Sequence, residues 1–368
     1  MTGSSRAGGG LDRYFFDLFR ALPGAGVDPV GLVTGDQAEI DAFDGDLRRF
    51  AADDDSTLVR ARRLRAVAQP IVADSDVVAS HFAAYALPVL DQLAKRPLAM
   101  HFHGPWALES AVERANPLVV RIRSLAERIV YARADVFIVL SRDVRATLHR
   151  EYGVPLEKIR VVKPGVDLQR FHDVGTRADA RERLGWPRDR PTVVTVRRLV
   201  SSKGLENLVK ATALVARDVP DVLVKVVGTG PLAEALAAAI AERGLRDHVD
   251  LVGHVGDTER LSSIYGAADV SIVPSTVNEG FGLIVFESLA CGTPPLVTPI
   301  GGLPETVEDL DSTLILASPE PADLARGITR ALLEPASLPT KSRCLEFVGQ
   351  FTWRSAAARI AEVYREIA

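Results

Sequence analysis

Apolar positions along the chain come in two alternating textures: short unbroken runs, and longer stretches with an apolar residue at every third or fourth position. The short runs at 27–33, 77–80, 98–102, 135–140 and 158–162 read as buried strands, because a strand covered on both faces has no polar side to show. Around them, 11–22, 57–69, 82–94, 117–133 and 143–152 read as helices; in the first, Leu11, Phe15, Leu18, Phe19 and Leu22 share a face. The acidic stretch 41–55 breaks the pattern and reads as loop.

The pattern pauses at Lys163-Pro164-Gly165-Val166-Asp167, a linker by composition, and then starts again. Strands are expected at 192–196, 222–227, 249–252, 270–273, 295–297 and 313–316, helices near 204–217, 231–243, 258–266, 283–291 and 321–334, and a closing amphipathic helix at 352–367. Two β-α-β series of this kind predict an α/β chain with a parallel doubly wound sheet in each half. The expected division is 1–166, 167–351 and a terminal helix at 352–368.

Composition agrees with two such domains: the chain has 368 residues, 47% of them apolar, and no apolar run long enough for a membrane span. No signal peptide is visible, and Cys291 and Cys344 have neither a disulfide framework nor metal-ligand spacing, so a reduced, cytoplasmic setting is expected. The net charge of −4 argues against a nucleic-acid binder. It is uneven, with 22 basic against 21 acidic residues in 1–166 and 22 against 27 in the remainder, so the first half is the better candidate to meet an anionic partner. There the 57–69 helix carries Arg60, Arg62, Arg63 and Arg65 beside an apolar side. Such a helix is either an ordinary solvated face or a peripheral contact with anionic lipid at the inner face of a membrane.

Candidate chemistry is densest at Glu279-Gly280-Phe281-Gly282-Leu283-Ile284-Val285-Phe286-Glu287. A strand precedes it, Pro274-Ser275 ends that strand, and a helix opens at Leu283 and stops at Gly292. Glu279 therefore sits in the loop and Glu287 just over one helical turn inside, so both can face a ligand lying across the helix N-terminus. Gly280 and Gly282 let backbone N–H groups approach a sugar or phosphate, and the helix dipole favours negative charge there. Arg198 and Lys203, just past the first strand of the second half, put two cations in a loop at that strand's carboxyl end. Gly3 to Gly10, including Gly9 and Gly10, is a glycine-rich feed into the first helix. Met100-His101-Phe102-His103-Gly104-Pro105 puts two histidines near a strand's end, expected on opposite faces of the sheet, with His101 packed and His103 where α/β folds place sites.

These segments resemble the nucleotide-sugar site of retaining glycosyltransferases of family 4, which have the GT-B fold of two Rossmann-like domains facing each other across a cleft. The resemblance rests on E-G-F-G-x-x-x-x-E at Glu279 to Glu287, on Gly301-Gly302-Leu303-Pro304-Glu305, and on R-L-x-x-x-K-G at Arg198 to Gly204. Gly228-Thr229-Gly230-Pro231 matches a further turn of the family near the nucleotide, and Gly253-His254-Val255 the segment whose backbone meets the base. The resemblance implies transfer of a hexosyl group from a UDP- or GDP-sugar to a hydroxyl of a glycan, glycolipid or small molecule, with retention and without metal or other cofactor. It implies that Glu279 holds sugar hydroxyls, Glu287 the ribose, Arg198 and Lys203 the diphosphate, and that His103 acts near the sugar. It also implies a terminal helix that crosses back to the first domain, and a central strand ahead of the glycine-rich loop, for which the sequence before Gly3 has no room.

Two features stand apart from the family pattern. Arg197 occupies a position where glycine is usual. Asp53-Asp54-Asp55 resembles the metal-holding D-x-D of the other, GT-A, fold, but its neighbours favour a solvated loop running into a helix cap. Arg197 and the late start admit a competing reading, a catalytically silent sugar-nucleotide-binding subunit. A nicotinamide-dependent oxidoreductase, suggested by Gly8-Gly9-Gly10, lacks G-x-G-x-x-G after a strand.

Overall fold

The computed structural model describes residues 9–107, 116–277 and 279–368. The chain divides into two compact units: one runs to Gly165 and takes back Trp353–Ala368, and the other is Val166–Thr352. The two passages of the chain between units lie side by side. Val166 forms a parallel bridge with Thr352, and its N–H donates to the Phe351 carbonyl at 2.9 Å.

The strands of the first unit are β1 (Val30–Thr34), β2 (Asp46–Ala51), β3 (Val78–Ser80), β4 (Leu98–His101), β5 (Val136–Val139) and β6 (Ile159–Val161). They form two parallel sheets, β1-β2 and β3-β4-β5-β6. Every residue of β4 and β5 is buried, as their unbroken apolar runs require. A cavity of about 850 Å³ lies between the β1 and β3 segments, lined also by Leu18 and Leu22 of the first helix and Tyr364 of the last. The central strand expected ahead of the glycine-rich loop, and Gly3 to Gly8 of that loop, fall outside the described residues.

The second unit contains β7 (Thr192–Val196), β8 (Leu223–Val227), β9 (Val249–Gly253), β10 (Val270–Val273) and β11 (Pro295–Val297). They form one parallel sheet in the order β11-β10-β7-β8-β9. The chain starts at β7, winds outward through β8 and β9, then returns to the other side of β7 for β10. The winding direction therefore reverses between β7 and β10, and the carboxyl ends of strands at such a switch point are where open α/β sheets hold ligands.

Several elements depart from the expectation. The stretch taken as loop at 41–55 contains β2, whose Leu47 and Phe50 pack on opposite faces in separate apolar clusters, a pattern obscured in the sequence by the acidic residues around it. The strand expected at 313–316 is a tight turn, Ser312–Leu314, because Asp311 accepts the Thr313 N–H at 2.9 Å; only Ile315 bridges to β11. The helix expected at 82–94 stops at Ala86 and gives way to two tight turns, Leu87–Val89 and Gln92–Lys95, where Pro88 offers no N–H to continue it. The helix read at 57–69 instead runs from Thr57 to Asp74 with Pro70 inside it. Helices Arg177–Leu184 and Lys341–Val348 were not expected; both are short, and each is capped by a threonine, Thr176 or Thr340.

Candidate functional site

Each unit holds one constellation. In the second, the loops after β7 and β10 meet over a carboxylate. Glu279 Oε2 accepts from Arg197 Nη2 at 2.5 Å, from Lys203 Nζ at 3.0 Å and from Ser275 Oγ at 2.7 Å. Oε1 has no partner among the described residues. Burial alone would raise the Glu279 carboxyl, but the charges of Arg197 and Lys203 and the bond from Ser275 outweigh it and hold it at about 2. Lys203 is lowered chiefly by its own burial, with the Glu279 charge opposing and the Arg197 and Arg198 charges adding to it.

The backbone is fixed as firmly as the side chains. The Glu279 carbonyl accepts the Gly302 N–H at 2.8 Å, and Gly301, at φ +58°, lies so close that a Cβ there would stand 2.1 Å from that oxygen. Gly228, at φ +137°, packs in the same way on the Arg197 carbonyl, which a Cβ would approach to 1.9 Å. The Gly228 N–H in turn reaches the Gly253 carbonyl at 2.8 Å, tying the turn after β8 to the exit of β9, where half-buried Val255 follows. The helix Leu283–Ala290 starts at Gly282, and the Phe281 ring packs in the core against Phe286 at 5.0 Å. Only the backbone of Phe281 is therefore available to a ligand. Glu287 is buried, with the Tyr265 hydroxyl donating to it at 3.3 Å.

Glu279, Lys203 and the turns at Gly228 and Gly301 thus come together where the loops after β7 and β10 meet. Arg197, at the position where glycine is usual, is bound to Glu279, while Arg198, expected at the diphosphate, is exposed. The sequence signal for Arg197 was its place directly after a strand that leads to a binding loop, and its disagreement with the family pattern hid it.

The first unit holds a histidine array. The His81 and His101 rings stack at 4.2 Å and 12°, and His81 Nδ1 lies 3.3 Å from His103 Nε2. His101 is bracketed by hydroxyls, Tyr14 at 3.1 Å from Nδ1 and Tyr364 at 2.7 Å from Nε2. His101 and His103 stand on the same side of the sheet, correcting the expectation of opposite faces: positions two apart in an extended chain point the same way. His81, one residue past β3, was missed although strand ends are where such groups collect. Tyr14 belongs to the helix Gly10–Ala21, capped at Gly9, whose N–H donates to Asp12 at 3.3 Å, so the glycine-rich feed and the histidines share this unit. Burial pushes His81 and His101 well below the ordinary histidine range, with neighbouring rings adding to it, and His103 to about 3.

The arginine helix is largely committed. Arg65 pairs with Asp91 at 2.6 Å, Arg63 with Asp55 at 2.5 Å, and Arg60 donates to the Asp53 carbonyl. Asp55 also accepts the Ala52 N–H, so the acidic run forms a turn that leads into the cap at Ser56. Among the described residues no group of three or more His, Cys, Asp or Glu side chains is arranged so that it could hold a metal ion.

The loops at the switch point of this doubly wound sheet converge on the Glu279 carboxylate, and comparison with known proteins identifies the family. The family model described as glycosyltransferase family 4 matches residues 8–170, and that described as glycosyl transferases group 1 matches residues 176–346. The chain belongs to this family of GT-B glycosyltransferases. A D-inositol 3-phosphate glycosyltransferase of Saccharomonospora viridis is 36% identical over 257 residues, 67% of this chain and 59% of that protein. A GDP-mannose-dependent alpha-(1-6)-phosphatidylinositol monomannoside mannosyltransferase of Mycolicibacterium smegmatis is 32% identical over 243 residues, 62% of this chain and 62% of that protein. The chain thus spans about three fifths of the length of the curated relatives it matches. Among solved structures, sucrose-phosphate synthase from Thermosynechococcus elongatus has TM-score 0.81 and 26% identity, covering 99% of this chain and 95% of that one. Anabaena HepE in complex with UDP-glucose has TM-score 0.79 and 21% identity, covering 99% and 98%.

Two outcomes are expected from this geometry. The lowered histidine pKa values mean that the unfolded chain binds protons below about 6.5 while the folded unit does not, so stability is full above that pH and falls below it. For the two most buried rings the slope is about 3 kcal/mol per pH unit. Urea titrations at pH 7, 6 and 5 should show it, and His101→Gln should flatten it. Separately, Gly301→Ala must displace the Glu279 carbonyl, and a drop in urea midpoint greater than that of Gly244→Ala, whose Cβ meets nothing within 4 Å at a similar φ of +66°, checks the cost of the clash apart from backbone strain.

Proposed function

We propose that the protein moves a hexosyl group from a UDP- or GDP-sugar to a hydroxyl of a glycan, glycolipid or small-molecule acceptor, with retention of configuration and without a metal. The observation that carries this reading is the Glu279 carboxylate at the switch point, held ionised by two cations through Oε2 with Oε1 left to accept from a sugar hydroxyl. As the bond from C1 to the diphosphate breaks, negative charge grows on the phosphate oxygens. Lys203, Arg198 and the N-terminus of the Leu283–Ala290 helix are the groups to meet it. The acceptor hydroxyl forms its bond to C1 on the face the diphosphate leaves, and its proton passes to a phosphate oxygen. Glu287 takes the ribose hydroxyls and His103 polarises near the transferred sugar. The relatives' names, which contain inositol 3-phosphate and phosphatidylinositol monomannoside, support a polyol or lipid-linked acceptor.

A panel of sugar nucleotides, scored for nucleoside diphosphate release with and without acceptors, tests the reading. Turnover should survive chelator, and turnover lost to chelator and restored by magnesium would overturn the metal-free part. Glu287→Ala should weaken binding of free nucleoside diphosphate, which contains the ribose. Glu279→Ala should leave that binding near its original level and lower turnover about 10²-fold.

Peripheral contact with an anionic inner leaflet belongs to the same proposal, and a cytoplasmic setting goes with it. Its support comes less from the paired arginines of Thr57–Asp74 than from the helix Pro117–Arg133. That helix exposes Leu118, Ile122, Leu125 and Ile129 at helical spacing, with exposed Arg121 beside them. Flotation with anionic vesicles at low salt should carry the protein, and Ile122→Glu should abolish it; an unbound wild-type protein removes this contact.

A further inference from the structure

Arg197 is the first residue beyond β7, and its backbone has no freedom. Its N–H donates to the Val227 carbonyl at 2.8 Å, and its own carbonyl is covered by Gly228. The side chain is 3% exposed. A guanidinium so buried must be paired, and Nη2 is, to Glu279 Oε2 at 2.5 Å. Nη1 is equally buried and has no hydrogen-bond partner among the described residues. An arginine buried beside a carboxylate, with one donor unmet among the described residues, is short of an acceptor.

The surrounding charges point the same way. Glu279, Arg197 and Lys203 together carry one negative and two positive charges, and Arg198 adds a third cation at the rim. With Arg197 balancing the carboxylate, the charge of Lys203 remains available to an anion. Without Arg197, Lys203 would be spent on Glu279.

We propose that Arg197 positions the Glu279 carboxylate from one side and donates through Nη1 to an oxygen of the bound sugar nucleotide, leaving Lys203 to the diphosphate. The assignment rests on the reading that this crevice holds a nucleotide sugar. It goes beyond that reading by giving a binding role to the position at which the chain departs from its family's pattern. The oxygen belongs either to the diphosphate or to the sugar, and binding measurements separate the two.

The test compares the wild type with Arg197→Met, Arg197→Lys and Arg197→Gly. In calorimetry with free nucleoside diphosphate and with the intact sugar nucleotide, a phosphate contact weakens both for Arg197→Met, by about tenfold or more. A sugar contact weakens only the second; unchanged affinity for both overturns the donor role. Turnover of Arg197→Gly should fall about 10²-fold and recover in part with millimolar guanidinium but not with urea, a rescue that a merely structural arginine would not show. Arg197→Lys, which keeps the charge, should hold the acid limb of the pH profile in place, whereas Arg197→Met should move it to higher pH as the Glu279 carboxyl rises from about 2. The positioning role is also read without any ligand. Acid unfolding of Arg197→Met should begin at higher pH than in the wild type, and an unshifted curve would sink the pairing. A wild type that binds no nucleotide overturns the functional reading and the donor role with it, while the acid curve still decides the pairing.

Discussion

A carboxylate taken out of water must be compensated, and the second unit is arranged around that demand at Glu279. The cost of burying it is met by Arg197 and Lys203 from the loop after β7 and by Ser275 from the end of its own strand. Those partners can reach it only because β7 and β10 are neighbours in the sheet although more than seventy residues separate them in the chain. The winding reversal that makes them neighbours also leaves their carboxyl ends open to a ligand. Fold, electrostatics and site are thus one arrangement, and the glycines at 228 and 301 admit no side chain because two backbone carbonyls of that arrangement are already in place.

What could be read from the sequence followed from how local the determining physics is. Buried parallel strands such as β4, β5 and β10 are apolar at nearly every position and declare themselves. By contrast β2 mixes Asp46, Arg48 and Arg49 with Leu47 and Phe50, so its pairing with β1 decides a conformation that its composition conceals. Pro88 ends a helix while Pro70 does not, and periodicity alone does not distinguish the two. The site residues in short motifs, Glu279 and Lys203 among them, were legible because the loops that carry them are contiguous. Arg197 was visible only as an anomaly, since its partner lies on another strand.

The histidine array shows the opposite economy. Three imidazoles sit within about one ring's reach of one another, and two tyrosine hydroxyls, from the first and last helices of the unit, bracket the central ring. Such rings stay packed only while neutral, because a second charge at that spacing would be unpaired and buried. His81 Nδ1 and His103 Nε2 share one hydrogen bond, so the tautomers of the two rings are coupled. Tyr364 brings the chain's last helix into that arrangement, so the C-terminal segment is part of the first unit's polar core and not an appendage to it.

The adjacent passages at Val166 and Thr352 have a meaning for the chain's topology. Because the two ends of the second unit are joined by a bridge, that unit is an excursion from the first, closed where it began. The contour length lost or gained in such an excursion costs the host little beyond fixing one pair of neighbouring residues. A whole module of this kind can therefore vary in length, or be exchanged for another with the same spacing of ends, while the scaffold that receives it needs only Gly165 and Trp353 to remain within reach of each other.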